Sequence, residues 1–185
     1  MPSVIGLTGP IASGKDIVSK FLINKGYTYY SLSQVVRDEA NSRNIKNDRE
    51  QLQNLGNFLR EKYGNGVLAN KIIDKLDLSK NIIIDGIRNP GEVDSLRKIK
   101  NFILVGVNAS KDTRFERLLK RNKISDPKTY KEFLRLEARD RGENEPLCGQ
   151  QVEECLKKAD IILANEFENS ALFEAEIEKI LKPYF

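Results

Sequence analysis

The sequence has 185 residues, enough to bury one substantial hydrophobic core but few for two, so we expect a single domain spanning 1–185. It contains no histidine, which excludes histidine triads, histidine metal sites and imidazole general bases. The net charge of +4 arises from basic residues interleaved with acidic ones, which does not favour dedicated nucleic-acid binding. Because no run of about 18 apolar residues and no secretion signal is present, we expect a cytoplasmic protein that does not enter a membrane. The oligomeric state stays open, a monomer included.

Short apolar or β-branched runs alternate with longer stretches of helical period. Five such runs cover 4–7, 27–30, 82–84, 102–107 and 161–163. The last three are apolar almost throughout, as expected of parallel strands that helices cover on both faces. The sequence therefore predicts an α/β protein, a three-layer α/β/α sandwich around a five-stranded parallel sheet. The interval 33–76 lacks a strand signal and predicts a helical insertion, with Asp48 and Gln51 as a capping pair.

The strongest motif follows the first predicted strand and opens an amphipathic helix. It fits the pattern G-x-x-x-x-G-K and comprises Gly9, Pro10, Ile11, Ala12, Ser13, Gly14, Lys15 and Asp16. In this context the loop amides and the positive end of the helix dipole converge on a site the size of a phosphate. Lys15 can then extend across the β and γ phosphates of a nucleotide. The alternative is a strand-to-helix turn with a surface lysine.

Two aspartates are candidate ligands for Mg²⁺, which prefers oxygen ligands. Asp16 stands where a serine or threonine hydroxyl usually binds the metal, and a carboxylate there can hold the ion directly or through water. Alternatively, Asp16 only favours the positive first turn of the helix. Asp85 ends the third predicted strand, where a second metal-handling carboxylate is expected, although such Asp-Gly turns also arise for conformational reasons.

These motifs resemble those of known kinases. The segment from Ile5 through Lys15 looks like dephospho-coenzyme A kinases, and the run from Asp85 to Arg88 resembles the D-G-x-x-R region of nucleoside monophosphate kinases. Over nearly its full length, including 89–93 and 130–151, the chain is similar to a kinase-like group whose members occur alone or joined to deoxycytidylate deaminases. The resemblance implies a P-loop NTPase fold with ATP and Mg²⁺ as cofactors and a small nucleotide as the phosphoryl acceptor.

By the same resemblance, the segment after the second strand grips the acceptor phosphate through Ser31 and Arg37, with Arg88 as the partner. Two guanidinium groups hold a dianionic phosphate through forked hydrogen bonds. Dephospho-coenzyme A kinases typically carry D-x-D here, whereas this chain has Ser31 and Ser33. The base expected for a hydroxyl acceptor is therefore missing, which favours an acceptor that is already a phosphate monoester, although another base could serve.

An arginine-rich region between the fourth and fifth strands resembles the mobile lid of related kinases, and we expect a short lid at about 121–146. Arg117, Arg121 and Arg139 are the candidates for stabilising the transferring phosphoryl group, although nearby acids can neutralise several arginines. Asn165 follows the fifth strand, where it either contacts adenine or forms a turn.

Together these features predict an ATP- and Mg²⁺-dependent phosphotransferase of the nucleoside monophosphate kinase type. The predicted reaction is direct in-line transfer of the γ-phosphoryl group to a (deoxy)nucleoside monophosphate. Two alternatives stay open: a dephospho-coenzyme A kinase, and a nucleotide-sensing module with little turnover.

Overall fold

A computed structural model describes residues 2–123 and 126–185 of the chain. Position 1 and two residues of the predicted lid, 124 and 125, lie outside the described residues. In the described part, five strands form one sheet with the order β2-β3-β1-β4-β5, and every neighbouring pair is parallel. The predicted α/β class and five-stranded parallel sheet are confirmed.

The strands lie where the apolar runs predicted them, with small differences at their ends. They are β1 Val4–Thr8, β2 Thr28–Ser31, β3 Ile82–Ile87, β4 Phe102–Asn108 and β5 Ile161–Ala164. Each strand extends beyond its predicted carboxyl end, because the backbone ladder continues through residues that apolarity alone does not mark, such as Thr8 and Asn108.

Helices connect the strands and cover both faces of the sheet. They are α1 Lys15–Asn24, α2 Leu32–Ser42, α3 Arg49–Tyr63, α4 Val67–Ile73, α5 Pro90–Leu96, α6 Lys111–Arg121, α7 Tyr130–Arg141, α8 Val152–Lys157 and α9 Ser170–Leu181, before a 3₁₀ turn at Lys182–Tyr184. The helices α2, α3 and α4 occupy the interval of the predicted insertion. The predicted cap is confirmed, since the Asp48 carboxylate accepts a hydrogen bond from the Gln51 amide at the start of α3.

Two hydrophobic cores lie on opposite faces of the sheet. In β3, Ile82 and Ile84 belong to the core beneath α2 to α5, whereas Ile83 belongs to the core beneath α1 and α9. Alternate side chains of a strand point to opposite faces, so a strand covered on both sides needs apolar residues at every position. This requirement explains the uninterrupted isoleucine run.

The sheet order places β1 between β3 and β4. The strands β2 and β3 therefore lie on one side of β1, and the later strands β4 and β5 lie on the other side. In open α/β sheets, such a switch point leaves a crevice at the carboxyl ends of the strands, where ligands bind. The predicted phosphate loop follows β1 at this point. Among residues 2–123 and 126–185, no helix combines the length and the apolar character needed to cross a membrane.

Candidate functional site

At two positions in the loop between β1 and α1, the backbone conformation favours glycine. Gly9 and Gly14 have φ values of +143° and +104°. A Cβ at Gly9 would lie 2.1 Å from the carbonyl oxygen of Val107, on the neighbouring strand β4. Glycine at both ends therefore lets the loop turn sharply and pack against the sheet.

The loop presents main-chain N–H groups that have no acceptor within the described residues. These are the amides of Ile11, Ala12, Gly14, Lys15 and Asp16, and the first turn of α1 has no side-chain cap. Unpaired N–H groups at a helix N-terminus bind anions, because they donate hydrogen bonds and lie at the positive end of the helix dipole. The geometry is thus that of a phosphate-binding loop.

Lys15 lies across this loop. Its Nζ donates to the carbonyl oxygens of Gly9 at 2.6 Å and Pro10 at 2.8 Å. Burial disfavours the charged form and lowers the pKa of Lys15 to about 8, although the negative charge of Asp85 opposes this shift. The ammonium group therefore lies within electrostatic reach of the Asp85 carboxylate on β3.

Asn165 and Arg117 support the loop from the β5 side. The Asn165 amide donates to the carbonyl oxygen of Ser13 at 2.8 Å, and Arg117 Nη2 donates to the Asn165 side-chain oxygen at 3.1 Å. A Cβ at Gly14 would lie 2.1 Å from Asn165 Nδ2. Arg117 also binds the main-chain oxygens of Asn165 and Phe167. In this structure both predicted site residues hold the phosphate loop and the chain after β5 together.

The two predicted metal ligands differ in their surroundings. Asp85 accepts hydrogen bonds from the Gly86 amide at 2.7 Å and from the Tyr29 hydroxyl at 3.1 Å, and its oxygens retain lone pairs for a cation. Asp16 is exposed, and its carboxylate has no hydrogen-bond partner within the described ranges. No cluster of three or more Cys, Asp or Glu residues suited to a metal occurs in 2–123 and 126–185. Mg²⁺ needs no such cluster, because it is often held by one or two carboxylates together with substrate phosphates.

A cavity of about 250 Å³ opens beside the carboxyl end of β3. We call it the arginine cavity. It is lined by Leu32, Ser33, Val36, Arg37, Asn47, Arg49, Leu52, Gln53, Gly56, Arg60, Leu68, Gly86, Arg88 and Gln150. The lining brings the predicted pair Arg37 and Arg88 together and adds two further arginines. No aspartate or glutamate of the described residues lines it.

Two carboxylates behind the cavity wall neutralise part of this charge. Glu92 forms a buried ion pair with Arg60 at 2.9 Å, and Asp140 pairs with Arg49 at 2.8 Å and lies 3.7 Å from Arg88. Within the described part of the chain, Arg37 donates only to the Ser33 hydroxyl, at 3.0 Å. Four guanidinium groups and two carboxylates leave two net positive charges at the arginine cavity.

Ser31, the third predicted acceptor residue, lies just outside the cavity lining. Its hydroxyl shares a hydrogen bond of 2.9 Å with Ser33, which in turn accepts from Arg37. The two serines at the D-x-D positions thus hold Arg37 at the cavity mouth.

The arginines predicted in the lid bind acids of the same region. Arg121 makes two hydrogen bonds to Asp126, at 2.8 and 2.6 Å, and Arg139 binds Glu145 at 3.0 Å and Asn54 at 2.7 Å. In this structure neither guanidinium is directed to the phosphate loop, so a role in transfer requires these contacts to exchange.

Several residues of the site were missed by the sequence analysis. They are Arg49, Gln53, Asp140 and Gln150 around the arginine cavity, and Arg114, which donates to the Ile11 carbonyl of the phosphate loop at 3.3 Å. Local spacing marks three of them: Arg49 and Gln53 lie four apart on one helical face, and Arg114 lies three residues before Arg117 on the arginine face of α6. Their partners lie far away in the sequence, so only the tertiary structure joins them.

Comparisons with known proteins show the family and the fold of this chain. Residues 5–146 match the model of the family described as AAA domain. A UPF0200 protein of Hyperthermus butylicus is 33% identical over 96% of this chain and 92% of the relative. A UPF0200 protein of Pyrococcus furiosus is 34% identical over 98% of this chain and 97% of the relative.

Solved structures share the fold. Shikimate kinase from Bacteroides thetaiotaomicron superposes with a TM-score of 0.58 at 14% identity, covering 98% of this chain and 97% of that chain. Dephospho-CoA kinase from Campylobacter jejuni superposes with a TM-score of 0.51 at 18% identity, covering 99% and 97%. At these identities the likeness shows the fold, that of P-loop kinases. With its matched AAA domain and its full-length relatives, the chain belongs to the UPF0200 protein family.

Proposed function

We propose that this protein transfers the γ-phosphoryl group of ATP, with Mg²⁺, to a phosphate monoester of the nucleoside monophosphate class. The observation that carries the proposal is the arginine cavity beside the phosphate loop, with two net positive charges and no carboxylate in its described lining. A phosphate monoester carries between one and a half and two negative charges at neutral pH, because its second pKa is about 6. The cavity and this group are therefore matched in charge.

The position of the cavity also fits the reaction. The charges of Arg88 and Asp140 both influence the pKa of Lys15, so the cavity wall lies within electrostatic range of the phosphate loop. An acceptor held by Arg37 and Arg88 would face the terminal phosphate of a nucleotide held by the loop. Most of the rate enhancement of phosphoryl transfer comes from such positioning and from electrostatic stabilisation.

The missing base favours a monoester over a hydroxyl acceptor. A hydroxyl must lose its proton as it attacks, which is the task of a general base such as a carboxylate. Ser31 and Ser33 stand where a carboxylate would be expected, and the described lining of the arginine cavity contains no acid. A phosphate oxygen is already ionised and needs no such base. The alternative of a dephospho-CoA kinase, whose acceptor is a hydroxyl, is therefore less well supported.

Each group has a defined task in this proposal. The loop amides and Lys15 would hold the β and γ phosphates of ATP, and Arg37 and Arg88 would orient the acceptor. Asp16 and Asp85 would hold Mg²⁺, which when bound neutralises charge on the phosphates. The predicted catalytic arginines, Arg117 of α6 and Arg121 and Arg139 of the predicted lid, would exclude water or stabilise the transferring group after exchanging their present partners.

The experiment incubates the protein with labelled ATP, Mg²⁺ and, in turn, each nucleoside monophosphate and dephospho-CoA. We expect transfer to a monophosphate, a loss of at least about 10²-fold in Lys15→Ala, and a higher KM for the acceptor in Arg37→Ala. The matched control is Arg43→Ala at the residue after α2, which removes an exposed arginine paired with Glu39 and should leave the rate unchanged. Transfer to dephospho-CoA alone would establish the hydroxyl kinase, and ATP binding without transfer to any acceptor would establish the nucleotide sensor.

A further inference from the structure

Two glutamines of the arginine cavity are almost completely buried. Gln53 on α3 is 6% exposed and Gln150, just before α8, is 7% exposed, and both line the cavity. Buried side-chain amides are normally hydrogen-bonded on both their oxygen and their nitrogen, because each unpaired group costs free energy. The partners of these two amides are therefore informative.

The neighbours of each amide fix which way it points. Gln53 Nε2 donates to the Asp140 carboxylate at 2.9 Å, and a carboxylate only accepts. Gln150 Oε1 accepts from Arg88 Nη1 at 3.1 Å, and a guanidinium only donates. A weaker contact of 3.4 Å from Gln53 Nε2 to Gln150 Oε1 agrees with both orientations. A flipped Gln53 amide would place its oxygen against the Asp140 carboxylate, and a flipped Gln150 amide would place its NH₂ group against Arg88.

This orientation leaves one atom of each amide available. Gln53 Oε1 and Gln150 Nε2 have no hydrogen-bond partner among residues 2–123 and 126–185. Neither atom is fully enclosed by the protein. Each therefore keeps some accessible surface that a small molecule can reach. Both side chains line the arginine cavity, and Gln53 also lines a second cavity between α3 and α7. The two side chains thus bring one free acceptor and one free donor to the wall of the arginine cavity.

We propose that Gln53 and Gln150 determine the acceptor specificity of this site by binding a paired donor and acceptor of the nucleoside part of the molecule. The proposal rests on the proposed function, since the arginines would hold the phosphate group of the same molecule. Nucleobase edges carry donors beside acceptors, and a sugar hydroxyl is itself both donor and acceptor. The dianionic phosphate group of a monoester has no proton to donate to Gln53 Oε1, so the amide pair reads the nucleoside part of the molecule and not the phosphate that the arginines hold.

The test is calorimetric titration of the protein with nucleoside monophosphates, their 2′-deoxy counterparts, ribose 5-phosphate and inorganic phosphate. The wild-type protein should bind a preferred nucleotide at least about tenfold more tightly than inorganic phosphate, the value of one well-made hydrogen bond to a buried group. Gln53→Met and Gln150→Met, which keep length but lose the amide, should reduce that ratio to below about threefold. The control Gln51→Met, an exposed glutamine on the same helix, should preserve it.

A third variant, Gln150→Glu, separates recognition from folding. The carboxylate keeps the bond to Arg88 but replaces the free donor by an acceptor. Its added charge affects all nucleoside monophosphates equally, so a changed order of preference among them reports hydrogen bonding. A change among bases identifies the base edge as the bound group, whereas a change in the ratio of ribose to deoxyribose forms identifies the hydroxyl.

The outcomes for the two proposals differ. An unchanged ratio in both methionine variants, or wild-type binding of nucleotides no tighter than inorganic phosphate, would overturn the role of the glutamines and leave the phosphate grip intact. Selective nucleotide binding without phosphoryl transfer would overturn the proposed function and support the amide pair. Failure of every monoester to bind would overturn both.

Discussion

Lys15 has an ammonium group that titrates close to the pH of ordinary assays. Burial lowers its pKa to about 8 in the ligand-free protein. Negatively charged phosphates at the loop favour the charged form and raise this pKa. Nucleotide binding above pH 8 must therefore take up a proton at Lys15, and the affinity for ATP falls as the pH rises through and beyond the ligand-free pKa.

The first prediction concerns this pH dependence. From pH 8 to 9.5 we expect the Kd for ATP to increase by up to about tenfold per pH unit, with proton uptake detected by calorimetry in buffers of different ionisation enthalpy. The variant Lys15→Arg stays charged throughout this range and should lose this slope, whatever its absolute affinity. A wild-type Kd that stays constant up to pH 9.5 would contradict the assignment of Lys15 to the phosphates.

Asp16 gives a second prediction at the level of one residue. If its carboxylate holds Mg²⁺, Asp16→Ala should raise the Mg²⁺ concentration needed for half-maximal ATP binding by about tenfold or more, a loss expected when a metal ligand is removed. Asp16→Ser restores the hydroxyl usual at this position and should retain the Mg²⁺ dependence. Asp112→Ala is the matched control, because Asp112 also lies in the first turn of a helix, α6. Equal Mg²⁺ dependence in all three variants would favour the helix-dipole role of Asp16.

At the scale of elements, Asp140 joins three parts of the molecule. It lies on α7, in the predicted lid, and is 2% exposed. Its carboxylate binds Arg49 and Gln53 of α3 and lies near Arg88 at the end of β3. The same carboxylate balances the charge of two guanidiniums that face the arginine cavity, so the lid and the proposed acceptor site are electrostatically coupled.

The third prediction follows from this coupling. Asp140→Ala should lower the free energy of unfolding by about 1–3 kcal/mol, because buried Gln53 loses a hydrogen-bond partner and two partly exposed arginines lose a counterion. A nucleoside monophosphate should restore much of that loss by supplying the missing negative charge, which appears as a larger ligand-induced rise in Tm than in the wild type. Glu39→Ala removes an acid from the exposed pair with Arg43 and should cost about 1 kcal/mol or less, without such recovery. Equal ligand-induced shifts in the three proteins would contradict the coupling.

The sequence could predict the parts of the site that consecutive residues encode, and not those formed by distant segments. The phosphate loop lies within eight consecutive residues, so its spacing and its strand-to-helix context were readable. The arginine cavity instead depends on contacts between α3, the end of β3 and the chain before α8. The pairing of Gln53 with Asp140 spans 87 positions, and no local pattern encodes it.

The fold class was predictable for a different reason. Parallel strands buried on both faces require continuous apolar runs, which mark β1, β3 and β4 without knowledge of their neighbours. The strand order β2-β3-β1-β4-β5 was not predicted, because it depends on which crossovers pack against which face. This order brings β3 and β4 to either side of β1, and thereby places Asp85 and Val107 beside the phosphate loop.

One buried ion pair links distant parts of the whole molecule. Arg114 is completely buried and donates to Glu137 of α7, to the Ala109 carbonyl after β4 and to the Ile11 carbonyl of the phosphate loop. Glu137 is 1% exposed and also binds Arg141, and its second oxygen is fully enclosed without a partner in the described residues. A buried pair of this kind costs desolvation and contributes little net stability, although removing one partner is expensive.

The last prediction uses that asymmetry to separate stability from function. Glu137→Leu should lower the free energy of unfolding by about 3–5 kcal/mol, because the buried Arg114 guanidinium loses its counterion. The double variant Arg114→Met/Glu137→Leu should recover most of this loss in a denaturant titration, since apolar side chains then fill the same space. It should nevertheless bind ATP more weakly than the wild type, because the phosphate loop has lost the hydrogen bond at Ile11. Wild-type ATP affinity in the stable double variant would show that Arg114 serves only the packing of α7, and that the loop is held by Asn165 without it.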